Sequence, residues 1–519
     1  MSVKTWWLKA GALAMVVAFV GCASSSAIDG NGPVVEVETG AMRGIAGAGF
    51  DVFRGIPYAG APVGELRWRP PAPVRAWDGI RDTTSAGRAC PQPLAPKWGD
   101  VGPTSEDCLY LDVWRPAGSG AGVALPVMVW IHGGGFIIGS GSLPLYDASA
   151  LVRRNVIVVS INYRLGRLGF LVHPALSAEQ GGASGNYGLM DQVAALHWVE
   201  RNIAAFGGDP DNVTLFGESA GGLSILALMT SPMAADLFDK AIVQSGLGLA
   251  ALSQLRDGPF AAEAMGAAWT AGRGMSSVTP QELRGMSAEQ VLEGQTFAGP
   301  VLDGVVLSRS PGDAFRRGEQ ARIPLIIGAN SFEASLTEFL SEGLARATLG
   351  NETYDTLLAR YAEREPIASA RDTLIGEVFG MQPARFIARE HSGAGSSAFL
   401  YYFDQVRASQ RRHMHGAPHA GELPYLFGTP QHFFTEWPMS ASPEWDGADQ
   451  RVSDAVIGYW TAFARSGDPN LGGAPRWEPV RASDAQALYI DETIEMRGFD
   501  TLADETESAA VAASIRQWR

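Results

Sequence analysis

Gly217-Glu218-Ser219-Ala220-Gly221 has the G-x-S-x-G spacing that lifts a serine hydroxyl out of a strained strand-to-helix turn. With 62 glycines among 519 residues, about half an occurrence of this pattern is expected by chance, so its surroundings must decide what it does. Hydrolysis by serine needs a base to take the hydroxyl proton, a carboxylate to orient that base, and N–H donors for the developing oxyanion. Where such a turn is used, the three side chains follow the order serine, acid, histidine, each on a turn after a strand. Here Glu333 stands just beyond the apolar run "PLIIG", and "HMHGAPHAGELPYLFG" offers His413, His415 and His419 further on. Upstream, "WIHGGGF" follows another apolar run and supplies bare backbone N–H groups that a carbonyl oxygen can approach closely.

The elements needed to position these residues are legible as well. Residues 127–131 ("VMVWI") and 156–162 ("VIVVSIN") are nearly continuous in apolar, β-branched residues, as buried strands of a parallel sheet are. Between the second run and the serine lies "NYGLMDQVAALHWVERNIAAF", with Leu189, Val193, Leu196 and Ile203 on a helical repeat. "GGDPDN" then reads as a turn and residues 213–216 as the next strand, and "AGGLSILALM" after the serine reads as helix. Further strands are expected at 241–244, 324–328, 398–403 and 488–490. This alternation predicts an α/β fold, a large mostly parallel twisted sheet with helices on both faces. The helix-rich stretch from about 251 to 390 reads as a cap, and residues 498–519 as a tail forming a surface helix. One catalytic domain, 34–497, is expected.

Composition narrows the partners. A chain that is 46% hydrophobic and 18% charged has the means to build a core. A formal net charge of −15 argues against a nucleic-acid surface, which wants clustered lysine and arginine. Residues 1–21 carry Lys4 and Lys9 ahead of an apolar run that is short for a membrane span, the build of an export signal. Phe19-Val20-Gly21-Cys22 resembles a bacterial lipobox, which makes Cys22 the lipidation site, with residues 22–33 as a flexible linker; an ordinary signal cut near Ala27 is the alternative. The expected localisation is therefore the cell envelope of a bacterium, membrane-bound only through the lipid, or otherwise periplasmic or secreted. Cys90 and Cys108 remain as a pair in an oxidising setting and are expected to form a disulfide.

Taken together, "FRGIPYAGAPVGELRWRPP", "SEDCLYLDVWRP", "WIHGGGF", "NYRLGRLGFL", "GNYGLMDQVAALHWVERNIAAFGGDPDNVTLFGESAGG", "QSG" and "GAPHAGELPYLFG" resemble the type-B carboxylesterases, which include the cholinesterases, of the α/β-hydrolase fold. The resemblance implies a serine hydrolase that cleaves carboxylic esters through an acyl-enzyme, with no metal and no organic cofactor. It makes Ser219 the nucleophile and Glu333 the acid, with Asp303 the weaker alternative. His419 becomes the base, because "GAPHAGEL" matches the family pattern where His413 and His415 do not. It also assigns the backbone N–H groups of Gly134, Gly135 and Ala220 to the oxyanion hole, Glu218 and Ser245 to hydrogen-bonded support of the nucleophile, and Cys90 and Cys108 to the family's first disulfide. Trp98 sits at the offset from Cys108 where cholinesterases place a cation-binding tryptophan; a loop tryptophan lining an apolar gorge is the plainer reading. Activity is expected to fall as pH drops through the base's pKa, around neutrality or slightly below. The rival from another class is a non-catalytic binding or adhesion protein on this fold, and within hydrolases a lipase, thioesterase or amidase.

Overall fold

A computed structural model describes residues 32–518 except 96–98, 259, 296–297, 337–339, 409, 412–413, 433–444 and 484. The proposed signal, Cys22, Trp98 and His413 lie outside the described residues. Among the described residues, eleven strands form one sheet. In chain order they are β1 (Ile45–Ala46), β2 (Phe50–Pro57), β3 (Tyr110–Pro116), β4 (Leu125–Ile131), β5 (Ile157–Ile161), β6 (Gly208–Glu218), β7 (Lys240–Gln244), β8 (Leu325–Asn330), β9 (Ala398–Phe403), β10 (Gln486–Ile490) and β11 (Glu495–Gly498). Their spatial order is β11-β10-β9-β8-β7-β6-β4-β5-β3-β2-β1. From β10 to β5 every neighbouring pair is parallel, and antiparallel strands finish both edges. The expected strands are all present.

The central strands read as continuous apolar runs because both of their faces are covered. Along β4, Val127, Val129 and Ile131 enter one hydrophobic cluster while Met128 and Trp130 enter the other, the two-residue alternation of a pleated strand. On the first face lies α1 (Tyr187–Asn202), whose Leu189, Val193 and Leu196 are all buried there. On the second lies α7 (Gly447–Ser466), with Val452, Val456 and Phe463.

"GGDPDN" is not a separate turn. It belongs to β6, where the pairing with β4 jumps from Leu125–Gly208 to Val127–Val213. Asp209 accepts from the N–H of Asp211 at 3.1 Å, so the turn-forming side chain makes a local bulge while the strand continues on either side.

The stretch expected as a cap contributes α3 (Glu342–Leu349), α4 (Asn351–Ala362), α5 (Ile367–Gly376), a π-helical turn (Glu377–Met381) and α6 (Gln382–Gly393). The tail is helical as expected, α8 (Thr501–Trp518), but it is not simply a surface helix. Leu502, Thr506, Glu507, Ala510, Ala513 and Ser514 are buried, and the tail falls in the same compact unit, Pro33–Arg519, as the sheet. Cys90 and Cys108 form a disulfide closing a separation of 18 residues.

Candidate active site

The C-terminal end of β6 and the segments after β4 and β7 open into one cavity of about 1060 Å³, the place where parallel sheets bind ligands. β6 ends at Glu218, and Ser219 follows with φ 56° and ψ −119° before α2 (Ala220–Leu228) begins. A non-glycine residue held there stores strain of order 1–3 kcal/mol. The surrounding hydrogen bonds enforce it: the Ser219 N–H donates to Gln244 O at 2.8 Å and the Leu223 N–H to Ser219 O at 2.9 Å. Glycine is required two residues on, since a β-carbon at Gly221 would run into the carbonyl oxygen of Ile131 at the end of β4.

Glu333 lies three residues past β8 and is 2% exposed. Its Oε1 accepts from Ser245 Oγ at 2.5 Å and from the Asn330 N–H at 2.7 Å, while Oε2 meets His419 Nδ1. Burial pushes its carboxyl up, but His419 and these donors outweigh that and hold it below the usual carboxylate range. His419 is fixed through its own backbone, whose N–H donates to Ser335 Oγ at 2.9 Å. Its other nitrogen, Nε2, lies 2.9 Å from Glu218 Oε1, an ion-pair distance without hydrogen-bond alignment. Burial alone would lower the imidazole's pKa; Glu218 and Glu333 override it and raise it well above the ordinary histidine value.

Of the two residues expected to support the nucleophile, Ser245 thus contacts Glu333 and Glu218 lies against His419. Asp303 is committed elsewhere, its Oδ1 accepting from the N–H groups of Val305, Val306 and Leu307 at 2.8–3.0 Å. His415 is exposed and packs edge-on to Phe332.

Gly134, Gly135 and Ala220 line the cavity together with Ser219 and His419. Ala220 opens α2, so its N–H is one of the donors a helix start leaves without an intrahelical acceptor, and the helix dipole favours negative charge beside it. The glycine loop is held from two sides. His132, pulled down to about 4 by burial and hence neutral, donates from Nδ1 to Gly133 O at 2.8 Å and stacks on Tyr163. Gln92, two residues from Cys90, donates to Gly139 O at 2.9 Å and accepts from the Gly139 N–H at 2.7 Å. Neither Gln92 nor the layer behind the site was found from sequence. In that layer Glu422 accepts from Gln244 Nε2 at 2.7 Å and Asn330 Nδ2 at 2.6 Å, and burial with the neighbouring Glu218 charge pushes its carboxyl up to about 7. Glu422 stands three residues after His419 in "HAGE"; that proximity was the one available signal.

Fold and site together define a member of the α/β-hydrolase class. The sequence profile of the carboxylesterase family matches residues 31–348 and 344–509, and the chain belongs to that family. It is 37% identical over 462 residues to a fumonisin B1 esterase of Sphingopyxis macrogoltabida, covering 86% of this chain and 84% of that one. It is 35% identical over 484 residues to a para-nitrobenzyl esterase of Bacillus subtilis (strain 168), covering 89% and 95%. A solved PNB esterase structure superposes with a TM-score of 0.79 at 32% identity, over 92% of this chain and 99% of the other. The protein is a serine carboxylesterase, a hydrolase of carboxylic esters.

Proposed function

We propose that Ser219 is the nucleophile, His419 the general base and Glu333 the carboxylate that orients it. His419 Nε2 takes the Ser219 proton as Oγ attacks the ester carbonyl, and Glu333 holds the resulting imidazolium by its Nδ1–H. The oxyanion of the tetrahedral intermediate sits among the N–H groups of Gly134, Gly135 and Ala220. His419 returns the proton to the departing alkoxide, and water then hydrolyses the acyl-enzyme by the same route. The observation that carries this reading is the strained Ser219 sharing one cavity with His419, whose Nδ1 meets the buried Glu333.

The described lining is mostly apolar; it contains no lysine or arginine, while Asp100 and Glu218 are acidic. Neutral esters with bulky apolar groups fit such a cavity. A carboxylated acyl group would bring a charge beside like charges with no lysine or arginine in the described lining to pair it. A p-nitrophenyl hemisuccinate should accordingly be a far poorer substrate than the butyrate. Stoichiometric labelling by an organophosphate probe, lost in Ser219→Ala, is the expected result; a wild-type chain that takes no label would instead favour the binding-protein reading.

The N-terminal pattern supports export through residues 1–21, with lipidation at Cys22 tethering the enzyme to a membrane face. Globomycin-sensitive processing and loss of membrane association in Cys22→Ser test that part.

A further inference from the structure

The tail helix forms part of the cavity. Ala510, Ser514 and Gln517 line it, and their spacing of four and three residues puts them on one face of α8. They look onto a lobe bounded by Leu340 and Leu344 of the α3 segment, Phe379 of the π-helical turn and Pro383 of α6. Those four are apolar and none of the three residues facing them is charged, so the lobe offers a hydrocarbon group burial and a charged group no ion-pair partner.

α8 is also clamped in place. Arg385 and Arg389 of α6 reach Glu507 at 3.1 and 2.9 Å, and Arg385 also pairs with Asp504 at 2.5 Å. Arg360 and Arg364, at the end of α4, pair with Glu505 at 2.6 Å and Asp500 at 2.5 Å. At the other end Trp518 closes over Gly312, where a β-carbon would lie 2.6 Å from the indole ring. A wall held at both ends and along its length cannot yield to a substrate the way a loose lid can. The match to the carboxylesterase profile stops at residue 509, so all three lining residues lie past the segment that defines the family.

We propose that α8 is a specificity-determining wall of this esterase, with Ala510 at its centre setting how long an apolar arm of the ester, acyl or alkoxy, the cavity accepts. The proposal rests on Ser219 being the nucleophile in that cavity. Ala510 is the pivotal position because it is small and 2% exposed; adding three carbons there takes volume from the lobe while Ser219, His419 and the glycine loop stay untouched.

The test compares kcat/KM for p-nitrophenyl acetate and decanoate, and for ethyl and decyl acetate, in wild type and Ala510→Leu. The expected result is a fall of tenfold or more in the long-to-short ratio of one pair, which also identifies the arm, with p-nitrophenyl acetate within about twofold of wild type. Gln517→Trp, at an exposed position, gives a second reading that does not depend on Ala510→Leu folding. Unchanged long-to-short ratios in both folded variants overturn the wall. Hydrolysis of p-nitrophenyl acetate that survives Ser219→Ala overturns the underlying assignment instead, and the two failures are separable.

Discussion

The strand-end rim and the helical wall bound one cavity, yet they are held by opposite means. At the rim, ionisable groups are buried and each is fixed by short, directional bonds: Glu333 by Ser245 and Asn330, Glu422 by Gln244 and Asn330. Half of the ten described non-glycine residues with positive φ, Phe136, Ser219, Ser245, Leu247 and Ala420, cluster there. At the wall, small residues pack closely and long arginines reach carboxylates, from the buried Arg385–Glu507 pair to the exposed Arg360–Glu505 pair. The rim concentrates strain and charge where bonds are broken, which costs stability. None of the three α8 residues that line the cavity is charged, and they have only to exclude volume. Chemistry and selectivity are thus separated in space, and substitutions in the two regions should fail in different ways.

The contrast predicts a ranking of effects. Glu333→Gln keeps the shape of the rim but loses the charge that fixes the imidazole, and kcat should fall by about 10⁴-fold with little change in KM; a loss under tenfold would remove Glu333 from its assigned role. Arg385→Ala, whose side chain is 7% exposed against a Glu507 that is 8% exposed, should cost roughly 3 kcal/mol in urea unfolding while p-nitrophenyl acetate turnover persists. Glu218→Gln removes one of the two carboxylates that raise the His419 pKa. A base must be neutral to act, so a raised pKa places the acid limb of kcat/KM higher on the pH scale and the variant's limb should shift to lower pH; a limb that stays put would show that Glu218 does not act through His419. Smallest of all, Arg360→Ala breaks a pair whose side chains are 39% and 47% exposed and should change stability by less than about 1 kcal/mol.

The rim was legible in the sequence because its residues sit beside strands that announce themselves. "VMVWI", "PLIIG" and the residues before Ser219 are apolar runs, and glycines stand where backbones must meet. The wall was not. The buried face of α8 is built mainly from alanine, serine and threonine, which carry little hydrophobic contrast, so a helix with a packed side reads as one facing solvent. Proline and aspartate in "GGDPDN" likewise imply a turn, and only the pairing with β4 shows that a strand accommodates them as a bulge. Glu422 escaped for a different reason. Its carboxylate matters through Gln244 and Asn330, 178 and 92 residues away, and no local pattern reports a contact at that distance.

The pairing of Ile131 with Gly217 sets β4 and β6 level, and with them the glycine loop and Ser219. A strand advances about 3.3 Å per residue, whereas a misplacement of about 1 Å can already cost a hundredfold in rate. The ladder therefore behaves like a ruler with coarse graduations. Small errors in aligning donor and nucleophile are unavailable to it, and the smallest error it admits also turns every side chain of the strand to the wrong face. Placing the two halves of the site on adjacent strands makes their alignment all-or-none, so a chain that has folded has also set its donors against its serine.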